Sequence, residues 1–427
     1  RSTQAKTLFP YTTLFRSTLE IPSNGSLVVS YIGYQTQTVS VANRKDIKIQ
    51  MKEDSELIEE VVVVGYGSQK KLNLTGSVAT VGSEELTERP ITNVTAAIQG
   101  AVPGMTITSG QGRPGQDAGT IRVRGTGTLN NSDPYILVDG IETGTMNSID
   151  PNDIESIEIL KDASATAIYG SRGANGVILI TTKKGNTGKV RVDLNVSGGF
   201  SHAAVDFRPT LNGDQREELL YEGLLNYAID NGMESPSEYA NSNIGTYAYK
   251  PAMGYTDWRK ELLRTAMHQS YEASVSGGND RSTFYASLGY NSQEGLAKNS
   301  SLDRYSARLN MTQKVGKYGE VGANMMFSQM NQEMNEERGS SINPFLCVAM
   351  TMTPSMVVRD EEGNYVGAYD GTSLNPLRDI LTDYNRVRMT RMFSTGYAAI
   401  EPIKGLKLKE TLSYDYTIQK DSRYYNP

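Results

Sequence analysis

The most constraining feature of this sequence is a two-residue alternation of apolar and polar side chains in its second half. Val190, Val192, Leu194 and Val196 alternate with polar or charged residues, so a strand formed here has one apolar and one polar face. The alternation recurs in six further segments, at residues 271–276, 284–290, 305–312, 321–327, 392–400 and 406–417. This pattern predicts seven strands within residues 186–427.

The connections between the seven predicted strands alternate between short and long. Tight turns follow the second, fourth and sixth strands, and long segments follow the first, third and fifth. A transmembrane barrel has this arrangement, because its periplasmic turns are short and its outer loops long, whereas a β-sandwich does not sort its loops in this way. We therefore expect the first seven strands of a large antiparallel transmembrane β-barrel, too few to close, with tyrosines such as Tyr271 and Tyr290 near the membrane interfaces.

Composition excludes several classes of function. The chain has 427 residues, with 41 Gly and 25 Tyr, but only one cysteine, Cys347, and two histidines, His202 and His268. These few residues cannot supply a disulfide within the chain or the ligand sets of zinc and thiol enzymes. The net charge of −6, with dispersed Lys and Arg, argues against a nucleic-acid partner. We predict a mainly β protein that is not an enzyme and needs no cofactor.

The first quarter of the chain divides into short pieces. Residues 1–17 carry neither the charged nor the apolar region of a signal peptide, so we interpret them as a non-native segment that replaces a lost leader. Residues 18–54 contain three short alternating segments, at 27–31, 37–41 and 47–51, which predict the end of a β-sandwich. Residues 55–75 hold an acidic lead-in followed by four valines. Such a strand can pair with a sheet edge of another protein or lie in a core of its own chain.

Residues 76–185 predict a small mixed α/β domain with much glycine. The expected strands are residues 121–124, 135–138, 157–160 and 176–182, and the expected helices are 94–99 and 163–169, the second capped by Asp162. Arg122 and Arg124 alternate with apolar neighbours, so both guanidinium groups leave one face of a strand, where they can contact carboxylates on a barrel wall or lie in solvent. The glycine-rich segment 110–127 lacks a complete phosphate-binding motif.

Two longer motifs in this domain resemble the plug of SusC/RagA-type TonB-dependent transporters. The motifs read DPYILVDGI from Asp133 and LKDASATAIYGSRGANGVI from Leu160. The residues that carry the resemblance are Asp133, Pro134, Tyr135, Val138, Asp139, Gly140, Lys161, Asp162, Ala163, Tyr169, Gly170, Arg172, Gly173 and Gly176. The segment EVVVVGY is similar to the part of that family that couples the plug to TonB, and comprises Glu60, Val61, Val62, Val63, Val64, Gly65 and Tyr66. Residues 27–51 resemble the end of the family's carboxypeptidase-regulatory-like domain.

The resemblance implies a 22-stranded barrel that is filled by the plug and lies in the outer membrane of Bacteroidota. It also implies a SusD-type lipoprotein as an external partner, coupling to TonB with ExbB and ExbD, and import of an oligosaccharide or peptide. Arg122 and Arg124 are then expected to contact the barrel wall. A siderophore or cobalamin receptor and a non-transporting β-rich surface protein are the alternatives. A polysaccharide hydrolase with paired carboxylates has no distinguishable pair of acidic residues in its favour.

Overall fold

The computed structural model of the chain describes most of the residues between the first predicted strand and the last. The described residues are 26–31, 34–40, 47, 49, 61–64, 67–70, 78–87, 93–108, 112–115, 119–127, 131–204, 211–247, 256–335, 343–346, 352, 354, 357–366, 375–403 and 405–425. The segment 1–17 that we interpret as non-native lies outside them. The same holds for most of the predicted strand at 47–51.

The N-terminal unit contains one antiparallel hairpin. Its strands are β1, Ser26–Tyr31, and β2, Tyr34–Ser40, with Leu27 opposite Val39 and Val29 opposite Gln37. Both strands match two of the alternating segments in the sequence. The assignment of residues 18–54 to the end of a β-sandwich stays a prediction, as do the other domain boundaries. Two further short strands follow, β3 at Val61–Val64 and β4 at Gly67–Lys70.

The domain that resembles a plug, called the plug below, is built from short strands and helices. Its strands are β5, Val78–Gly82; β6, Thr106–Thr108; β7, Thr120–Arg122; β8, Tyr135–Val138; β9, Ile141–Glu142; β10, Ile154–Leu160; and β11, Val177–Thr182. Its α-helices are α1, Ser83–Thr87; α2, Val94–Ala97; and α3, Ala163–Thr166, and 3-10 turns cover Pro151–Asp153 and Ala167–Asn175. The helix predicted at 163–169 is therefore shorter, because its second half is a 3-10 turn that kinks at Gly170.

A five-stranded sheet organises the plug core, in the order β5-β10-β11-β8-β9. Strand β11 pairs parallel with β8 and antiparallel with β10. Its sequence VILITT is almost wholly apolar because both of its faces are covered, as is usual for a central strand. Ile157, Ile159 and Ile178 are completely buried there. The strands β6 and β7 form a separate small hairpin, in which Ile107 faces Ile121.

The second half of the chain forms a seven-stranded antiparallel sheet, as the alternation predicts. Its strands are β12, Gly188–Ser201; β13, Ala266–Gly278; β14, Ser282–Glu294; β15, Ser301–Val315; β16, Gly319–Met334; β17, Tyr384–Ile403; and β18, Leu406–Tyr424. They pair strictly in chain order, without a crossover. Most extend beyond the alternating segments, because cross-strand hydrogen bonds continue where the polarity pattern fades.

The connections between these strands alternate between short and long, as predicted. Residues 279–281, 316–318 and 404–405 make short turns at one end, and 202–265, 295–300 and 335–383 connect the strands at the other. The long connections contain five helices among their described residues, namely α4, Gly213–Asp230; α5, Pro236–Tyr247; α6, Trp258–Leu262; α7, Pro344–Leu346; and α8, Pro376–Thr382. Helices α6 and α8 bury Trp258, Leu262, Leu377 and Ile380 against each other, which joins two of the loops.

The two faces of the seven-stranded sheet have opposite chemistry. Large apolar side chains on one face are exposed, for example Val192 at 73% and Leu288 at 67%, while Arg304 and Arg308 on the other face are buried. A row of three tyrosines whose rings contact each other, Tyr271, Tyr290 and Tyr305, crosses three strands near the long loops on the apolar face. This arrangement is that of a membrane barrel wall with a polar interior.

None of the helices in the described part of the chain is long and apolar enough to cross a bilayer.

Candidate functional site

The coupling segment predicted from the sequence is described only in part. Val61, Val62, Val63 and Val64 form strand β3, as the run of β-branched residues indicates. Glu60, Gly65 and Tyr66 lie outside the described residues. Contact of this segment with TonB therefore stays a prediction.

The first plug motif forms strand β8 and the turn after it. Pro134 is buried at the start of the strand, and Val138 is buried at its end. Asp139 and Gly140 then make the two-residue hairpin turn to β9, with φ angles of 49° and 87°. Both angles are positive, as a type I′ turn requires, and Asp-Gly is a favoured pair for such turns.

The side chains of the two motifs meet on the surface of the plug. The rings of Tyr135 and Tyr169 pack edge to face, with centroids 6.0 Å apart. Arg172 donates to the Tyr135 hydroxyl and forms an ion pair with Glu142. The bond to Tyr135 and the charge of Glu142 raise the pKa of Arg172. This exposed cluster ties the second motif to the β8–β9 hairpin.

The remaining residues of the second motif shape the chain between β10 and β11. Lys161 donates to the carbonyl of Pro103 at 2.7 Å, and Asp162 precedes Ala163, the first residue of α3, without a side-chain capping bond. Gly173 is buried beside this helix. Gly176 has a φ of 95°, and a Cβ atom there would lie 2.7 Å from the Val123 side chain. Only glycine fits that conformation and that spacing.

Arg122 and Arg124 find hydrogen-bond partners inside the plug. Arg122 forms an ion pair with Asp133, and Arg124 donates to the carbonyl of Ala174 at 3.3 Å. Neither arginine has a hydrogen bond to the seven described strands of the sheet. Their predicted contact with a barrel wall stays a prediction, and another set of arginines joins the plug to this sheet.

The first buried contact between plug and sheet centres on Asp139. One of its carboxylate oxygens accepts from Arg308 of β15 at 3.1 Å, and also from Asn324 of β16. Thr182, the last residue of β11, donates both its backbone N–H and its hydroxyl to the same carboxylate. The Arg308 side chain is only 1% exposed. Asp139 thus carries two roles, because it forms the turn and anchors the plug.

The second contact involves two acids that the sequence motifs did not include. Asp150 accepts from Arg304 at 3.2 Å and from Ser306 at 3.2 Å, both on β15. Asp153 accepts from the hydroxyl of Tyr285 at 3.0 Å and from Ser287, both on β14. Burial and the nearby charge of Asp150 raise the pKa of Asp153 above its usual 3.8, although Arg308 and the two hydroxyl donors oppose the shift.

The third contact is a single arginine of β17 that reaches several groups. Arg391 forms a two-pronged ion pair with Asp415 of β18, with N–O distances of 3.0 and 2.6 Å. The same guanidinium donates to the hydroxyls of Thr143 at 2.7 Å and Ser148 at 2.9 Å in the plug. Asp415 fixes the guanidinium plane, so its remaining N–H groups point to the plug.

We name Asp139, Asp150, Asp153, Arg304, Arg308 and Arg391 the ionic interface. Its plug side is acidic and its sheet side is basic, the reverse of what Arg122 and Arg124 suggested. The sequence did contain a signal for the sheet side, since Arg304 and Arg308 occupy the polar positions of an alternating strand. In a barrel wall those positions face the interior, where a buried arginine needs an acidic partner.

The described contacts of this interface are hydrogen bonds and ion pairs that bind the plug to the sheet. Among the described residues no group of three or more His, Cys, Asp or Glu side chains could hold a metal ion. Removing one member of a buried ion pair costs about 3–5 kcal/mol, but charged groups are well solvated if water enters with the movement. Such an interface can hold the plug firmly and still release it.

Comparison with known proteins agrees with this architecture. A family model described as TonB-dependent Receptor Plug Domain matches residues 70–177. TonB-dependent receptor P26 of Formosa agariphila is 32% identical over 95% of this chain and 40% of its own length. TonB-dependent receptor SusC of Bacteroides thetaiotaomicron is 37% identical over 67% of this chain and 27% of its own length. The RagAB peptide importer in its open-open state superposes with a TM-score of 0.66 and 31% identity, over 85% of this chain and 43% of that one.

The chain thus spans less than half the length of the curated relatives that it matches. The matched part nevertheless includes both the plug and the seven-stranded sheet, and these relatives are receptors and importers, not enzymes. Together with the two plug motifs and the antiparallel sheet whose strands pair in sequence order, these similarities show that the chain belongs to the SusC/RagA-type family of TonB-dependent receptors.

Proposed function

We propose that this receptor imports an oligosaccharide or a peptide across the outer membrane, with energy supplied through TonB, ExbB and ExbD. A SusD-type lipoprotein is its proposed partner outside the cell, where it delivers the ligand to the long loops. The similarity to the RagAB peptide importer over 85% of this chain supports this function. The exposed apolar face of the seven strands supports a location within outer-membrane lipid.

The observation that carries the proposal is the ionic interface between plug and sheet. The plug has its own apolar core, and among the described residues of the sheet Met326 and Phe393 are buried against that core. The other described contacts with the sheet include hydrogen bonds and ion pairs that Asp139, Asp150 and Asp153 accept from it, and hydrogen bonds that Arg391 and Gln332 donate to the plug. A domain held mainly by polar contacts can move without losing its core. Ligand passage requires such a movement if the plug fills the barrel.

The coupling segment supplies the point at which force is applied. Four consecutive valines form an extended strand, β3, and an extended segment can add to the edge of a sheet in a partner protein. We propose that TonB pairs with residues 61–64. A pull on this segment reaches the plug through the chain that leads to β5, and the ionic interface resists until its contacts exchange with water.

The experiment compares three versions of the receptor in cells that express it from its own gene. The versions are native, Val62→Pro and Val62→Ile. Proline removes the backbone N–H that strand pairing needs, while isoleucine keeps both the N–H and the strand preference. We expect Val62→Pro to abolish uptake of labelled oligosaccharide or peptide pools with surface binding retained, and Val62→Ile to behave as native.

Two outcomes would contradict the proposal. Undiminished uptake by Val62→Pro would exclude coupling through residues 61–64. Uptake of a ferric siderophore, with neither oligosaccharide nor peptide imported, would assign the receptor to the alternative substrate class. The lipoprotein is tested separately by tagging the receptor and asking whether a SusD-like lipoprotein co-purifies with it from outer membranes.

A further inference from the structure

Three cations cluster on the outward face of β17 and β18, near the long loops. Arg388 lies directly opposite Lys420 in the strand pairing. Arg386 lies on β17 two residues before Arg388, closer to the long loop that precedes this strand. All three side chains are exposed. They belong to the apolar face, because Asn385, the residue before Arg386 on β17, is buried on the other face.

The pairing of Arg388 with Lys420 is unfavourable by itself. Cross-strand neighbours on one face of an antiparallel pair have their Cβ atoms about 5 Å apart, and like charges there destabilise the sheet. Arg386 forms an ion pair with Glu333 at 2.8 Å, whereas Arg388 donates to the amide oxygen of Asn331. Within the described residues neither Arg388 nor Lys420 forms an ion pair with a carboxylate. An anion between them would remove the repulsion.

On the outward face, the acidic residues at the same level of the sheet lie on other strands. Asp303 and Glu333 occupy outward positions of β15 and β16, in register with Arg388 and Arg386. Asp303 accepts from the Tyr290 hydroxyl, and Glu333 is already paired with Arg386. Charge on this face is therefore segregated, with the unpaired positive part on β17 and β18.

The residues around the three cations resemble those that surround a lipid headgroup at a membrane interface. On the loop side, Tyr384 and Tyr424 stack at 5.5 Å, and the Arg386 guanidinium lies 4.9 Å from the Tyr384 ring centroid. On the opposite side, exposed Ile418, Tyr416 and Met392 continue the apolar band. An aromatic pair, then cations, then apolar residues follow the order of a membrane interface from its outer edge inward.

We propose that Arg388 and Lys420, assisted by Arg386, bind the phosphate of an anionic lipid in the outer leaflet. This inference rests on the outer-membrane location proposed above. The bound phosphate bridges the two opposed cations with charge-assisted hydrogen bonds, and the acyl chains of the same molecule lie along Ile418, Tyr416 and Met392. The adjacent apolar side chains favour a lipid over a free phosphate ion, because only a lipid covers them.

The test measures lipid binding to the complete receptor purified in detergent. Diphosphorylated lipid A is titrated, and bound lipid is counted by native mass spectrometry for native, Arg388→Gln/Lys420→Gln and Arg423→Gln proteins. Arg423 is the matched control, because it lies on β18 but shares the interior face with Asn385. Glutamine keeps an extended polar side chain and removes the like-charge opposition, so the double variant should fold.

We expect the double variant to bind lipid A roughly 25-fold more weakly, since each of the two removed cations contributes about a fivefold factor near a membrane surface. The Arg423→Gln control should bind as the native protein does, and native protein should bind lipid A without phosphates as weakly as the double variant binds the complete lipid. Equal binding by native protein and double variant would overturn the proposal. So would competition by inorganic phosphate at concentrations comparable to those of the lipid, which would identify a free-anion site. Because no transport is measured, either result leaves the import proposal untouched.

Discussion

The plug and the seven-stranded sheet bury opposite kinds of residue. In the plug, Ile157 and Ile178 are completely buried between strands and helices. In the sheet, Leu288 is 67% exposed on one face while Arg308 is buried on the other. Alternation of polarity in a strand therefore defines two faces, but the environment decides which face is covered. In the proposed outer-membrane location, lipid replaces water on the apolar side of the sheet.

The two regions also differ in how their contacts respond to separation. Burial of apolar surface stabilises the plug core by about 25 cal/mol per Å², and this gain is lost if the core opens to water. The ionic interface gains little net energy over solvated charges, but it is strongly destabilised if one partner is lost and the other stays buried. The plug can thus leave the wall as an intact domain more easily than it can unfold.

The largest expected effect comes from removing one arginine of the ionic interface. Arg308→Ala leaves Asp139 buried without its counter-charge, which should cost about 3–5 kcal/mol. We expect faster amide hydrogen exchange in β8 and β11 of the complete receptor, measured by mass spectrometry. Arg386→Ala is the control, because an exposed ion pair contributes only about 0–1 kcal/mol.

The contrast between the buried and the exposed ion pair would be wrong if Arg386→Ala increased hydrogen exchange in the plug as much as Arg308→Ala. A double variant tests the role of charge more directly. Arg308→Met with Asp139→Asn removes both charges together, so it should restore much of the protection that Arg308→Ala loses. Failure of this rescue would mean that Arg308 acts through packing and not through its charge.

A smaller effect is expected from replacing one large apolar side chain by alanine in each region. Ile157→Ala creates a cavity in the plug core and should cost about 2–4 kcal/mol of plug stability. Leu309→Ala, on the outward face of β15, opens no cavity against the plug because lipid fills the space. We expect trypsin to cut the plug of the complete receptor at a lower temperature for Ile157→Ala, and at the native temperature for Leu309→Ala. The reverse order would contradict the assignment of the two faces.

The smallest effect concerns the protonation of Asp153. Burial raises its pKa above 3.8, so the folded interface favours the protonated acid. Its stabilising contribution is complete below the ordinary pKa and is lost as the pH rises through the raised value. In the native receptor, the protection of plug amides from hydrogen exchange should therefore decrease as the pH rises from the ordinary pKa to the raised pKa. Asp153→Asn, which stays neutral, should flatten the change in hydrogen exchange with pH, and an unchanged profile would exclude Asp153 as its source.

The regular parts of the fold were predictable from local patterns. Seven alternating segments became seven strands, and the parity of their connections gave the order of pairing. Strand ends were not predictable, because β16 continues to Met334 through hydrogen bonds with β17 after the alternation weakens. The helix after Asp162 was predicted too long, because it changes to a 3-10 turn and kinks at Gly170.

The partners of charged residues were the hardest feature to predict. Arg122 and Arg124 were obvious candidates because they alternate with apolar residues in the strand predicted at 121–124, yet the observed strand ends at Arg122 and their described bonds stay within the plug. Asp150 and Asp153 lie in a turn without a recognisable motif, and they contact residues more than a hundred positions away. Sequence distance of this kind leaves no periodic signal.

By itself, the sequence determined which residues form strands, which face of each strand is apolar, and which motifs mark the plug. These properties depend on neighbours along the chain, whose spacing is set by the strand repeat of two residues. Only the tertiary structure decided that acids of the plug meet arginines of the sheet, and that Arg388 faces Lys420. Such pairs depend on register and docking, because a charge selects its partner by distance in space and not by position in the chain.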